Sequence, residues 1–254
     1  MEDLKPHVIL IAYHFPPGQE IGGFRPFRFC KYLQRMGYPC HVITASPPAE
    51  ENPDEVIYVP DDFRPIWEGW SQERLSLLGY AELLIRKCCF PAALGIMWSL
   101  KVAAKCRQIL RAHPRNRFVI FSTFPQLGVL FAGLIVRWRE ERPWICDLRD
   151  PIHGEPLFAH ASRLTLFLNR HLEALAFRGA SAVIANVEPA AAVWRDRYPL
   201  ARQKIHTIYN GFDPDEMVSA REISPRKETV ILHAGTVYLG RNPNLIVASL
   251  LRLR

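Results

Sequence analysis

The 254-residue sequence lacks the features that place many chains in a class at once. Its apolar stretch between Lys87 and Lys101 contains Pro91 and falls far short of the ~20 residues that cross a bilayer. The start, Met1-Glu2-Asp3, has no basic region, and the apolar run at residues 8–12 is too short for the core of a secretory signal. These absences predict a cytoplasmic protein.

Cysteine spacing and missing motifs exclude two further classes. The six cysteines include no C-x-x-C pair and lie mostly among apolar residues, which predicts buried free thiols and no metal site. No zinc-finger, RRM or KH signature is present, and the arginines are spread along the chain. We therefore expect no nucleic-acid partner.

The chain is basic, with 32 lysines and arginines against 25 aspartates and glutamates, a formal net charge of +7. Arginine supplies most of this charge, and such a balance fits phosphate-rich partners. Nucleotide sugars, lipid-linked diphosphates and an anionic membrane face all belong to that group. A basic surface with no specific partner is the alternative.

Residues 8–36 are the most informative stretch. A short apolar run predicts a buried strand, two prolines and Gly22-Gly23 predict a turn, and a helical period begins at Phe24. Strand, glycine turn and helix together point backbone N–H groups at an anion, although neither G-x-G-x-x-G nor G-K-[ST] is present. Arg25, beside the positive end of the helix, predicts that a negative group lies there. The alternative is an ordinary tight turn in which glycine only relieves strain.

Strands and helices alternate along the chain, which predicts an α/β fold with a parallel sheet covered on both faces. Strands are predicted at residues 8–12, 40–45, 118–122, 144–146, 181–186, 204–209 and 229–237, and helices at residues 24–36, 73–89, 127–139, 163–178, 188–197 and from 244. Residues 49–70 are predicted to be a surface connection. Residues 88–100 fit either a buried helix or a segment lying on a membrane. In helix 163–178 the predicted core face consists of Leu164, Leu168, Leu172 and Leu175.

The chemistry is predicted at Asp147, Arg149 and Asp150, just past a strand end. A bidentate pair between the guanidinium and one carboxylate would fix the geometry, leaving the other carboxylate to accept a hydrogen bond from a sugar hydroxyl. A structural ion pair that caps the following turn is the alternative.

Four motifs in order resemble the GT-B glycosyltransferases, most closely the retaining group called family 4. They are Tyr13-His14-Phe15-Pro16-Pro17 with Gly22-Gly23, Asp147-Leu148-Arg149-Asp150-Pro151, Asn210-Gly211-Phe212-Asp213, and the glycine-rich stretch at residues 233–243. Ile152 stands where this family usually has tryptophan.

The resemblance implies a Rossmann-like amino-terminal acceptor domain at residues 1–215 and the start of a truncated donor domain at residues 216–254. It implies a retaining enzyme of polysaccharide biosynthesis that moves a sugar from a nucleotide-diphosphate sugar to a lipid-linked or polysaccharide acceptor, without metal or cofactor. Asp150 would orient the acceptor hydroxyl, with Arg149 and Asp147 holding the loop. The donor diphosphate would be contacted by Gly22, Gly23, Arg25, Gly235 and Arg241. The family's E-x7-E glutamate pair is missing, so we expect this chain alone to be inactive.

Two other functions stay open at this point. One is a truncated, non-catalytic module for binding or assembly, which the missing glutamate pair supports. The other is a different Rossmann-type enzyme with a nucleotide cofactor, against which the missing G-x-G-x-x-G counts. The location predicted for the glycosyltransferase is the cytoplasm, with peripheral contact to the inner face of the membrane.

Overall fold

The computed structural model describes residues 5–18, 20–47, 56–62, 77–89, 95–152, 162–216, 230–232 and 243–252. The chain divides into two compact units, Met1–Asp213 and Pro214–Arg254. The assignment of residues 1–215 and 216–254 to an acceptor and a donor domain stays a prediction.

A parallel sheet forms the centre of the first unit. Its strands are β1 (His7–Ala12), β2 (Cys40–Thr44), β3 (Val56–Tyr58), β4 (Phe118–Thr123), β5 (Trp144–Leu148), β6 (Ala182–Ala185) and β7 (Ile205–Thr207). The spatial order is β3-β2-β1-β4-β5-β6-β7, and every neighbouring pair is parallel. The predicted α/β, Rossmann-like fold class is therefore confirmed.

Helices cover both faces of this sheet. The described residues form α1 (Phe24–Arg35), α2 (Leu77–Cys88), α3 (Trp98–Ala112), α4 (Leu127–Glu140), α5 (Arg163–Gly179), α6 (Glu188–Arg197) and, in the second unit, α7 (Asn244–Arg252). The side chains of β1 alternate between two cores: Ile9 and Ile11 pack with α3, α4, α5 and α6, whereas Val8 and Leu10 pack with α1.

Two elements differ from the sequence-based expectation: the edge strand β3, and helix α3, which extends to Ala112, past the predicted segment at residues 88–100. The connection at residues 49–70 contains the edge strand β3, which is too short and too close to acidic residues to show a strand period. Trp98, expected either in a buried helix or on a membrane, is buried, and its indole donates to the carbonyl of Val59 at 2.8 Å. The buried helix is thus correct at this residue. Among the described residues no helix is both long and apolar enough to cross a membrane.

The predicted core face of α5 is wrong. Leu172 is buried, but Leu164 and Leu175 are exposed. The inward face instead carries Thr165, Asn169 and Glu173 alongside Leu172, Ala176 and Phe177. The helix begins at Ser162, whose hydroxyl accepts a hydrogen bond from the Thr165 amide at 3.1 Å. The buried face of α5 is therefore centred on Glu173, Ala176 and Leu172 and includes only part of the leucine side.

In the second unit, the predicted strand at residues 229–237 is described only at its centre. Val230, Ile231 and Leu232 have no regular structure and are exposed, so the strand prediction is wrong for these three residues. The apolar residues of α7 are exposed as well.

Three histidines gather at the amino-terminal edge of the sheet. Asn116 Nδ2 donates to His7 Nε2 at 3.0 Å, which leaves the hydrogen on His7 Nδ1 to donate to His41 Nε2 at 3.2 Å. The rings of His7 and His41 are stacked with centroids 5.5 Å apart, and His113 stacks on His41 at 6.2 Å. This hydrogen-bonded chain requires neutral rings.

We expect the protein to lose stability as the solution becomes acidic. Burial, followed by the neighbouring histidines, lowers the pKa of both His7 and His41. The folded protein therefore binds fewer protons than the unfolded chain, and the free energy of unfolding falls as the pH drops below the unfolded histidine pKa of about 6.5. The urea midpoint should be lower at about pH 5.5 than at about pH 7.5.

The variant His41→Gln should shrink this difference between the two midpoints, because it removes one of the two shifted groups. The matched control is His206→Gln, at an exposed position on β7, which should leave the difference as it is in the parent. Equal pH dependence in both variants would contradict the assignment.

Candidate active site

The predicted site residues lie at the carboxyl-terminal edge of the sheet. There β1 lies between β2 and β4, so the strand order reverses between β1 and β4. In open sheets of this kind the loops that leave the two strands diverge, and a crevice lies between them. In open parallel sheets this reversal is where ligands bind. The turn after β1 brings Gly22 and Gly23 to this crevice, and the end of β5 brings Asp147 and Arg149.

A buried ion pair between Arg25 and Asp147 joins the two sides of the crevice. Arg25 Nη2 lies 2.8 Å from Asp147 Oδ1, and Arg25 Nε lies 3.0 Å from Oδ2. Asp147 is fully buried, Arg25 is nearly so, and Thr123 donates a further hydrogen bond to Oδ2 at 2.9 Å. The negative group that the first turn of α1 requires is therefore Asp147.

The polar face of α1 also binds the segment that follows β7. Arg25 Nη1 donates to Asn210 Oδ1 and Arg25 Nη2 to the Ile208 carbonyl, each at 2.9 Å. Arg28 donates to the Gly211 carbonyl at 2.9 Å. The buried Asp213 accepts from Lys31 at 2.6 Å and from Tyr32 at 3.0 Å. The Asn210-Gly211-Phe212-Asp213 motif is thus anchored on α1.

These contacts change the interpretation of Arg25. The bidentate pair expected between Asp147 and Arg149 is formed by Arg25 instead, because Arg25 reaches both oxygens of the carboxylate from α1. Its other donors bind Asn210 and Ile208, so within the described residues Arg25 holds protein groups. Contact with a donor diphosphate stays a prediction for Arg25. Gly235 and Arg241 lie outside the described residues.

Arg149 bridges the glycine turn and the end of β4. Its Nη1 donates to the Gly22 carbonyl at 3.0 Å, and its Nε donates to the Phe124 carbonyl. Burial lowers the pKa of Arg149, while Asp147 and Asp150 oppose that shift and Arg25 adds to it. A guanidinium keeps its proton even so, and it supplies positive charge at the mouth of the crevice.

The two glycines have different surroundings. A Cβ on Gly22 would meet Arg149 Nη2 and His14 Cδ2, both at 3.6 Å, an ordinary contact distance. A Cβ on Gly23 would lie 3.2 Å from the Phe15 nitrogen and 3.3 Å from the His14 carbonyl carbon. Gly23 therefore permits close packing of α1 on the backbone after β1, whereas Gly22 faces the space between two side chains.

Asp150 is exposed at the edge of the crevice. The backbone two residues later is hydrogen-bonded to a buried side chain. The Ile152 amide donates to Glu173 Oε2 at 2.9 Å. The same buried carboxylate accepts from Arg197 at 3.0 Å and Tyr198 at 2.8 Å through Oε1. Ile152, standing in place of the usual tryptophan, is itself buried. The loop is thus held by α5 and α6, which leaves the Asp150 carboxylate at the surface.

Four residues of this arrangement were not predicted as site residues. Thr123, Asn210 and Glu173 support the charged groups, and His14 lines the space beside Gly22, with Nδ1 3.6 Å from a carboxylate oxygen of Glu20. Asn210 and His14 stand in motifs that the sequence does display. For Glu173 the only signal is a single acid among the apolar positions of a helix.

A doubly wound parallel sheet with charged residues at its switch point is the architecture of Rossmann-like α/β enzymes. The sequence profile described as Glycosyltransferase Family 4 matches residues 27–216, and the chain belongs to that family. The predicted resemblance is thereby confirmed.

Several solved structures match the chain. One of them is the crystal structure of Anabaena Alr3699/HepE in complex with UDP and glucose, at 20% identity and a TM-score of 0.36, covering 82% of this chain and 45% of that one. The chain thus spans somewhat under half the length of that protein. None of the curated proteins matches it.

We expect Asp147→Asn to destabilise the fold strongly, because the neutral amide leaves the buried Arg25 guanidinium without its counter-charge. Breaking a buried pair from one side costs about 3 kcal/mol or more, to be measured as the free energy of unfolding in urea. The control, Asp62→Asn, removes the exposed partner of Lys101 and should cost less than about 1 kcal/mol. Equal losses in the two variants would show that the buried pair contributes no more to the free energy of unfolding than the exposed pair does.

Alanine substitutions at Gly22 and Gly23 should differ in their effect on stability, because only Gly23 lies close to neighbouring backbone atoms. Gly23→Ala forces backbone atoms apart, so it should lower the free energy of unfolding by about 1 kcal/mol or more. Gly22→Ala makes ordinary contacts and should stay within about 0.5 kcal/mol of the parent protein. Thermal melting of both variants checks this order, and a reversed order would contradict the close approach at Gly23.

Proposed function

We propose that the chain is the acceptor-side domain of a retaining glycosyltransferase of polysaccharide biosynthesis. The enzyme transfers a sugar from a nucleotide-diphosphate sugar to a lipid-linked or polysaccharide acceptor. The observation that carries this proposal is the family match over residues 27–216. The hydrogen bond from Arg149 to the Gly22 carbonyl supports it, because it joins the end of β5 to the glycine turn.

The acceptor hydroxyl is oriented by Asp150. Of the two aspartates, Asp147 has both oxygens engaged and is fully buried, so it positions Arg25 and cannot reach an acceptor. Asp150 is exposed, and its loop is fixed by the bond from Ile152 to Glu173. A carboxylate beside hydrogen-bonded backbone can accept a hydrogen bond from a hydroxyl in a defined direction. Arg149 holds the neighbouring glycine turn.

The donor diphosphate lies against Gly22, between His14 and Arg149. The absence of a side chain at Gly22 lets an anion approach the turn, and the Arg149 guanidinium offers positive charge beside it. Gly23 allows α1 to pack closely on the backbone of His14 and Phe15, and so it positions the neighbouring Gly22. Arg25 contributes through Asp147 and Asn210, since its donors are directed at those groups. A contact of Gly235 and Arg241 with the same diphosphate stays a prediction from the family resemblance.

Residues 1–215 form the acceptor domain, and residues 216–254 belong to the donor domain. The E-x7-E pair of the donor domain is not among these 254 residues, so we expect them by themselves to transfer no sugar. We expect the reaction to need neither metal nor cofactor. The enzyme works in the cytoplasm, where nucleotide sugars and the inner membrane face are both accessible.

Asp150→Asn tests the proposed role in the enzyme with both domains. The amide keeps the size of the side chain but loses the charge, so turnover should fall by ~10²-fold or more. The readout is transfer of labelled sugar from UDP-, GDP- and dTDP-sugars to a lipid-linked acceptor. The melting temperature should change little, because Asp150 is exposed.

The matched control is Asp196→Asn, an exposed aspartate at the last turn of α6, which should keep full turnover. Full turnover in Asp150→Asn as well would exclude Asp150 from the reaction. Loss of turnover that follows only the loss of folded protein would make Asp150 a structural residue. Absence of transfer from every donor by the parent enzyme would favour a non-catalytic binding or assembly module.

A further inference from the structure

Part of the leucine side of α5 lies outside the hydrophobic core. Leu164, Phe167 and Leu175 lie on the outward side of this helix, with 50%, 56% and 39% of their surface exposed. Their positions fall on one side of the helix, so they form an apolar stripe along α5 that the exposed His171 interrupts. Single exposed apolar residues are common, but an ordered stripe marks a surface that contacts something.

The same side of α5 carries positive charge and no exposed acid. Arg163, Arg170 and Arg178 are exposed, and they flank the apolar stripe along the whole helix. The single acid of α5 is Glu173, which is buried and bound to Arg197 and Tyr198. The outward side of α5 is therefore amphipathic and cationic.

The end of α4 extends this surface. Trp138, 59% exposed, lines an open groove of about 670 Å³ together with Leu175 and Arg178. Arg137 also lines the groove, and its Nε donates to the Gly179 carbonyl at 3.2 Å, which joins the ends of α4 and α5. Glu141 is the one acid among the groove's described lining residues. We name the α5 surface as Leu164, Phe167, Leu175 and Trp138 with Arg163, Arg170 and Arg178.

We propose that the α5 surface docks the protein on an anionic phospholipid membrane, with α5 lying parallel to the bilayer plane. Leucine and phenylalanine side chains enter the boundary between headgroups and acyl chains, and a tryptophan sits at headgroup level. The arginines bind lipid phosphates, and each contributes electrostatic attraction to an anionic leaflet. This inference concerns binding alone and does not rest on the proposed transfer reaction.

Charge argues against a second copy of the chain as the occupant. In a twofold dimer the same patch meets itself, so the arginines of one α5 would face those of the other. Like charges brought together at an interface weaken association. A lipid leaflet, in contrast, supplies both negative charge and an apolar layer, which matches the two components of the surface.

The test is sedimentation of the chain with phospholipid vesicles. We expect binding to vesicles of phosphatidylcholine and phosphatidylglycerol in equimolar mixture, weak binding to phosphatidylcholine alone, and release by salt. The double variant Phe167→Ser/Arg170→Glu should lower the partition coefficient by ~10-fold or more, since it removes apolar area and reverses a charge.

The matched control is Val193→Ser/Arg202→Glu, which alters an exposed apolar residue and an exposed arginine elsewhere on the first unit. Both double variants change the formal charge equally and keep the exposed leucines of α7, so a difference between them isolates the α5 surface. We expect the control to bind as the parent protein does. Circular dichroism and melting temperature verify that both variants fold.

A third variant reports the position of the surface directly. On addition of anionic vesicles the tryptophan emission should shift to the blue, and Trp138→Phe should reduce that shift while sedimentation remains. The proposal is overturned if the two double variants bind equally, or if phosphatidylglycerol gives no advantage. It is also overturned if the parent protein does not sediment with vesicles but forms a dimer that Phe167→Ser/Arg170→Glu dissociates.

Discussion

The buried pair of Arg25 and Asp147 is the contact on which the crevice depends. It joins α1 to the end of β5, and through Asn210 it also joins both to the segment after β7. A guanidinium with this many partners is held in one position, since each lost bond would leave a buried polar group unpaired. The loops that carry Gly22, Arg149 and Asp150 therefore adjoin elements whose relative positions are fixed by this pair.

The crevice separates charges that support the fold from charges that face outward. Asp147 and Glu173 are fully buried, and each accepts several hydrogen bonds. Asp150 is exposed and lies on the loop that Glu173 fixes. Arg149 is intermediate in exposure, since it is half buried, and burial lowers its pKa. The buried charges thus hold neighbouring elements together, while the Asp150 carboxylate remains accessible to solvent.

Local patterns were enough to predict the fold, because strands and helices show their periods within a few residues. They also predicted Asp147, Arg149 and Asp150 as one group, since all three follow a single strand. The partner of Asp147 was not predictable, because Arg25 lies 122 positions away and pairing over that distance leaves no periodic signal. The inward face of α5 was predicted wrongly for a related reason. The leucine spacing is a local signal, whereas the bonds from Glu173 to Ile152 and Tyr198 are long-range contacts.

Glu173 makes the α6 end of the domain and the crevice thermodynamically dependent on each other. Its carboxylate binds Tyr198 with one oxygen and the backbone of Ile152 with the other. Because burial and this carboxylate raise the pKa of Tyr198, the phenol remains a hydrogen-bond donor across the physiological range. Residues that share a network of this kind have non-additive effects on stability. Substitutions of Tyr198 and of the residues beside Ile152 should therefore have coupled effects on the free energy of unfolding, although Tyr198 lies on the far side of Glu173 from the Ile152 amide.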